Sequence, residues 1–291
     1  MTMTGFKFDI KTYKAHPLSF LFMLLVWVAA ALTAAVFIAV VGYVLITGIP
    51  NLKPSLFAWN YTTDNVSMMP AIITTIEMVG ISLLIAAPLG VFCSIYLIEY
   101  AKKGNRVVGI IRITAETLSG IPSIVYGLFG MLFFVTKLKW GLSLLSGAFT
   151  LAIMILPLIM RTTEESLKSV PESYREGSFG LGAGKLRTIF RIVLPAAVPG
   201  ILAGVILAIG RVVGETAALM YTAGTVAQIP DSIMGSGRTL ALHMYVLSNE
   251  GLHTDKAYAT AVILLVLVIG INTISTVVAK RISKGNGNGE D

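Results

Sequence analysis

Residues 174–195, YREGSFGLGAGKLRTIFRIVLP, decide how the chain is read. They are too polar to cross a bilayer, yet the apolar runs on either side, 142–160 and 196–221, can do so. Such an interruption is a loop with business in the aqueous phase. Its punctuation is regular. Glu176 precedes Gly182 by six residues, and Ile192-Val193-Leu194-Pro195 begins ten residues after that glycine. Just upstream, Ser169-Val170-Pro171-Glu172 has capping-box spacing, with Pro171 tolerated in a first helical turn. A short helix over about 170–181 is predicted, stopped by Gly182 in a left-handed conformation. A second short helix over about 184–191 should lead to Pro195 and the next span. Tyr174, Phe179 and Leu181 give the first helix an apolar component that can enter a partner's groove.

Outward from this segment the chain is membranous. Of its 291 residues 55% are hydrophobic and only 13% charged, where a soluble domain carries about a quarter charged. Six apolar blocks reach the roughly 20 residues a helical crossing needs: about 18–47, 70–98, 114–136, 142–160, 196–221 and 257–279. The blocks are continuous rather than alternating, which argues against a barrel. The first is about twice the length of a signal-peptide core, so it reads as an uncleaved anchor. The divisions are a tail at 1–17, a first span and loop at 18–69, a transmembrane domain at 70–282 containing the polar segment 165–195, and a polar tail at 283–291.

Lys and Arg set the orientation. The N-terminal tail (Lys7, Lys11, Lys14), loop 99–113, loop 161–195 and the C-terminal tail (Lys280, Arg281, Lys284) together carry 16. The opposite side carries five: Lys53, Lys137, Lys139, Arg238 and Lys256. Both termini and the segment 165–195 are therefore expected in the cytoplasm. The net charge of +7 follows this loop pattern, so nucleic acid is not the implied partner; lipid is. The single Cys93 lies in an apolar block and reads as a small core residue.

Inside the blocks, Gly200/Gly204 and Gly210/Gly214 fall at the four-residue spacing that lets membrane helices approach closely. Pro88 and Pro122 should bend spans two and three. Arg211 and Glu215 stand four apart in span five, which on an unbroken helix puts them on one face. Two readings stay open. The pair is a structural ion pair that lets a polar helix insert, or Arg211 lines an anion path with its planar fork facing an oxyanion. Arg161 at the end of span four is a snorkelling anchor or a second path residue. Glu77 and Glu116 are further intramembrane acids, either of which could pair with Arg211 across helices. No nucleotide-binding loop is present: in Gly182-Ala183-Gly184-Lys185 position 179 is Phe where the pattern needs Gly, and Leu186 follows the lysine.

The Glu176–Gly182–Ile192-Val193-Leu194-Pro195 spacing resembles the cytoplasmic signature of bacterial ABC importer permeases, with Gly177 and Ser178 where two alanines are usual. Three further stretches are similar to the membrane permeases of the bacterial phosphate importer: Gly120–Gly127, Arg161–Leu167 followed by Val170-Pro171, and Gly210–Leu219. Leu240–Tyr245 with Ser248–Gly251 looks like its A-type subunit. The resemblance implies an all-α membrane protein of six transmembrane helices, with the type I ABC importer permease fold and cytoplasmic termini. It implies a heterodimer with a C-type permease, two ATPase subunits that use ATP and Mg, and an external phosphate-binding protein. The chain itself would bind no cofactor or metal and catalyse nothing. The resemblance also implies an ATPase-coupling set of Tyr174, Glu176, Phe179, Gly182, Leu194 and Pro195, and a substrate path containing Arg161, Arg211 and Glu215.

Two other readings compete. A permease for another solute would share the coupling segment. A stand-alone channel or secondary transporter would have no use for it and would often carry inverted repeats, which are not evident. An intramembrane enzyme would need a reactive cluster in the spans, and His16, His243 and His253 all lie outside them.

Overall fold

A computed structural model describes residues 17–102 and 104–285. The tail 1–16, Lys103 and residues 286–291 lie outside the described residues, and with them the tail cations Lys7, Lys11 and Lys14. Among the described residues the chain is helical without strands. The helices are α1 (Pro17–Gly48), α2 (Met69–Ile95), α3 (Arg106–Ser119), α4 (Ser123–Gly130), α5 (Leu144–Ser169), α6 (Glu172–Gly180), α7 (Lys185–Thr188), α8 (Leu194–Val213), α9 (Ala217–Thr222), α10 (Leu240–Glu250) and α11 (Thr254–Gly285). Wider π turns prolong α2 over Tyr96–Tyr100, α4 over Met131–Lys137, and join α7 to α8 over Ile189–Val193.

Five continuous helical runs are long and apolar enough to cross a bilayer, and the third predicted span is the exception. Its two arms, Arg106–Ser119 and Ser123–Lys137, meet at 105°, so six crossings result only if the bent pair counts as one. Pro122 explains the break. It has no amide to donate and sits in extended backbone at φ −60°, ψ 143°. The expected bend is thus a full change of direction, and Arg106 and Arg112 lie on a helix rather than in a loop. Pro88, by contrast, remains inside one helix.

The centre of the bundle is α5. Its Leu151, Ile155 and Ile159 are fully buried against Met78 and Ala86 of α2 and Ala208 and Val212 of α8. The α5–α8 seam depends on glycine. A Cβ placed on Gly200 would strike the Ser166 side chain, and one on Gly204 would strike Thr162. The first glycine pair therefore does what small residues do in membrane helices. The second pair does not: Gly210 approaches only Asn272 Oδ1, at 4.0 Å, and Gly214 only its own helix. On the outside of the bundle α1 rests on α11, where Tyr43 and Tyr258 meet edge to face at 5.7 Å. Most of its surface is exposed, as suits a helix facing lipid.

Span five ends earlier than its apolar pattern suggests. The helix stops at Val213, Gly214 and Glu215 close it with bonds to the Gly210 and Val212 carbonyls, and α9 starts afresh at Ala217. Below, the predicted second short helix is not separate from span five. Helix α7 passes through the π turn directly into α8, giving one run over Lys185–Val213.

Candidate functional site

A cavity of about 350 Å³ opens between α3, α5 and α8. Along α5 its wall runs from Met154 to Lys168, about 21 Å at the helical rise. Three basic groups line it from the α3 and α5 sides, and each is matched by an acid. Arg112 Nη2 lies 3.1 Å and Lys168 Nζ 3.3 Å from Glu164 Oε2. Arg161 Nε lies 3.0 Å from Glu165 Oε1, a pair one turn apart on α5. Arg211 enters from the last turn of α8. Among the described residues it has no carboxylate within 4 Å, so it is the uncompensated cation of the cavity.

The fold thus brings Arg161 and Arg211 to one cavity although 50 residues separate them. It parts Arg211 from Glu215. The predicted face-to-face pair requires an unbroken helix, and Gly214 ends it between them. Glu215 is buried and its Oε1 accepts from the Ala218 amide at 3.0 Å, holding the first turn of α9 instead. Glu116 shares the cavity of Arg211 without pairing with it. Glu77 lines a different pocket, with Leu144 and Asp231.

The polar segment forms a compact two-armed hook. Helix α6 begins after Pro171 in extended backbone, and Ser169 is the last residue of α5, its hydroxyl donating to the Ser166 carbonyl. The predicted capping box therefore does not form; Pro171 ends one helix and starts the next. The stop at Gly182 is as expected, at φ +81°. Tyr174, Phe179 and Leu181 are 52%, 47% and 91% exposed, an apolar edge too large to be left to solvent by chance. Glu176 and Gly182 are exposed as well. Leu194 and Pro195 do not: both are half-buried at the start of α8, Leu194 packing beside Ile95 and Leu167. The residue that the charge pattern alone did not single out is Arg175, which is buried and bonded through all three guanidinium nitrogens. Little in the sequence pointed to it: its partner Glu99 opens the basic loop 99–113, where Lys102 and Lys103, three and four residues on, are the nearer candidates.

At the opposite end, the first four residues of α10, Leu240–His243, are all buried. The Arg238 guanidinium lies 5.0 Å over the Tyr61 ring, and Tyr61 meets the His243 ring edge-on at 6.2 Å. Burial, and then the Arg238 charge, push the His243 imidazole down to about 3. A histidine depressed in the folded state takes up a proton on unfolding once pH drops below about 6.5. Its contribution is therefore present above that pH and lost as pH falls toward 3. In detergent, the stability difference between the native chain and His243→Leu should change by up to about 1.4 kcal/mol per pH unit between pH 6 and 4. A difference that stays constant over that range refutes the neutral buried imidazole.

The profile described as "Binding-protein-dependent transport system inner membrane component" matches residues 86–285. A "Probable ABC transporter permease protein YqgI" of Bacillus subtilis is 32% identical over 281 residues, 87% of this chain and 94% of that one. The "Phosphate transport system permease protein PstA 1" of Mycobacterium tuberculosis is 34% identical over 211 residues, 72% of this chain and 69% of the relative. Among solved structures, a bacterial alginate ABC transporter in complex with its pentasaccharide-bound periplasmic protein aligns with a TM-score of 0.63 at 16% identity, over 94% of this chain and 98% of that one. The inward-facing MetNI methionine ABC transporter aligns at 0.57 and 18% identity, over 74% and 94%. At such identities the structures speak for the fold, which is that of type I ABC importer permeases.

Proposed function

This chain belongs to the binding-protein-dependent transport system inner membrane component family, and on that premise we propose that it is the permease subunit of an importer whose cargo is inorganic phosphate. The observation that carries the cargo is Arg211, an uncompensated guanidinium in the cavity between α3, α5 and α8, at the end of an apolar run long enough to span a bilayer. An ionisable group in a span costs roughly 2.5–3.5 kcal/mol on insertion scales and is kept where it meets a partner. A tetrahedral oxyanion suits its two-donor fork. Relatives named for phosphate transport support the choice. Arg161, held by Glu165, stands as a second station on the same wall.

In this reading the segment 165–195 faces the cytoplasm of a bacterial cell, with both termini, and the chain sits in the inner membrane. The exposed edge of Tyr174, Phe179 and Leu181 docks on an ATPase subunit, which supplies the ATP and Mg chemistry. A C-type permease completes the path, a second ATPase completes the engine, and an external binding protein delivers phosphate.

Uptake of labelled phosphate and sulfate by cells lacking the chain, and again with it restored, tests the cargo. Restored sulfate uptake without phosphate uptake would assign another oxyanion. Coupling is tested at Gly182. A β-branched residue at φ +81° costs about 1–2 kcal/mol in the turn, and no atom lies within 4 Å to be disturbed otherwise. Gly182→Val should leave insertion intact while phosphate uptake is lost. Unchanged uptake would remove the turn from the coupling path.

A further inference from the structure

Two arms of the hook come to rest on the same turn of span two. On the first arm, Arg175 Nε and Nη2 donate to Glu99 Oε1 at 3.2 and 2.8 Å. Both side chains are about nine-tenths buried. The same guanidinium donates to the carbonyls of Leu167 and Val170, each at 3.0 Å, and reaches Glu172 at 3.3 Å. It thereby satisfies carbonyls that the end of α5 leaves open. On the second arm, the Lys185 ammonium sits 5.0 Å over the ring of Tyr100. Glu99 and Tyr100 both belong to the π turn Tyr96–Tyr100. Behind these contacts Ile95, Leu167, Val170, Ile189 and Val193 form one buried apolar cluster.

We propose that the π turn at the end of span two is the seat of the coupling segment, with Arg175 as the positioning residue that fixes α6 to it through Glu99. The inference rests on the reading that α6 docks an ATPase, and it adds where the resulting motion goes: into α2 and α5 together. The geometry is that of a rigid joint. A planar guanidinium held by a carboxylate and two carbonyls in a buried setting has one orientation, so displacement of α6 displaces both partners. A flexible tether would leave α6 free to move alone. Wider π turns inside otherwise regular helices are commonly found where function demands a departure from the regular ladder.

Glu99→Gln is the direct test, because the amide oxygen still accepts from Arg175 while the charge is lost. In the full transporter reconstituted with its ATPase and binding protein, phosphate uptake per ATP hydrolysed should fall roughly tenfold. The basal ATP hydrolysis of the complex that assembles should stay near native. The double variant Glu99→Met, Arg175→Met removes both charges and so leaves no orphan ion to unfold the joint. It should show the same loss of uptake per ATP. If either variant lowers only the yield or thermal stability of the complex while uptake per ATP is native, the joint is purely structural and the proposal fails. A disulfide cross-link from Tyr174→Cys to the ATPase checks the premise separately. Its absence in an otherwise native transporter would sink the docking reading, whatever Glu99→Gln does.

Discussion

Arg211→Gln should reduce phosphate uptake by at least roughly 100-fold, since two hydrogen bonds from a charged donor contribute about 1.5–3 kcal/mol each. Expression and assembly should stay near native. The reason lies in what surrounds the residue. Arg112, Arg161 and Lys168 are already engaged by Glu164 and Glu165, but no carboxylate within 4 Å depends on Arg211, so its removal strands no buried acid. Arg211→Lys should restore uptake poorly, because a point charge cannot present the two-donor fork. Glu215→Gln should be mild: its oxygen can still accept from the Ala218 amide, which is the bond it makes. A structural ion pair would give the reverse pattern, with both single variants failing to assemble and the double variant rescued. Native uptake in Arg211→Gln would remove the residue from the path.

That contrast shows where sequence reasoning reached and where it stopped. Apolar length alone located the helices, because backbone groups in hydrocarbon must bond within their own segment. The hook was legible too, since polarity, Gly182 and Pro171 all mark it. What length could not register was a break within an apolar run. Gly214 is one of many glycines in membrane helices, and its neighbours Val213 and Thr216 are as compatible with continuation as with a stop. Hence Arg211 and Glu215 read as partners when they belong to different helices. Pro122 carried a clearer signal, but a proline fixes the site of a break and not its angle of 105°. The Arg175–Glu99 joint joins residues 76 positions apart. Only packing of α6 against the end of α2 brings them together.

The second large effect is expected at the α5–α8 seam. Gly204→Val should prevent the two helices from closing, because a Cβ there would overlap the Oγ1 and Cβ of Thr162. Thr162 has little room to yield: its hydroxyl is tied to the Leu158 and Ile159 carbonyls at 2.9 and 3.1 Å, and neighbouring Ile159 and Thr163 are fully buried. Overpacking of this kind costs about 1–3 kcal/mol where backbones can shift a little. Here a shift would also lift Gly200 from Ser166 and widen the cavity beside Arg161 and Arg211, so both stability and uptake should be lost. Gly80→Val on α2 is the matched control, with nothing within 4 Å of its added Cβ, and should melt near the native temperature. Thr162→Gly placed in the Gly204→Val chain clears the overlapping atoms and should recover part of the lost stability, the remainder reflecting the roughly 1 kcal/mol that glycine costs inside a helix. Melting of the purified chain in detergent reads all three variants. A native melting temperature for Gly204→Val alone would mean that α5 and α8 do not touch there, and the wall that carries Arg211 would have to be placed elsewhere.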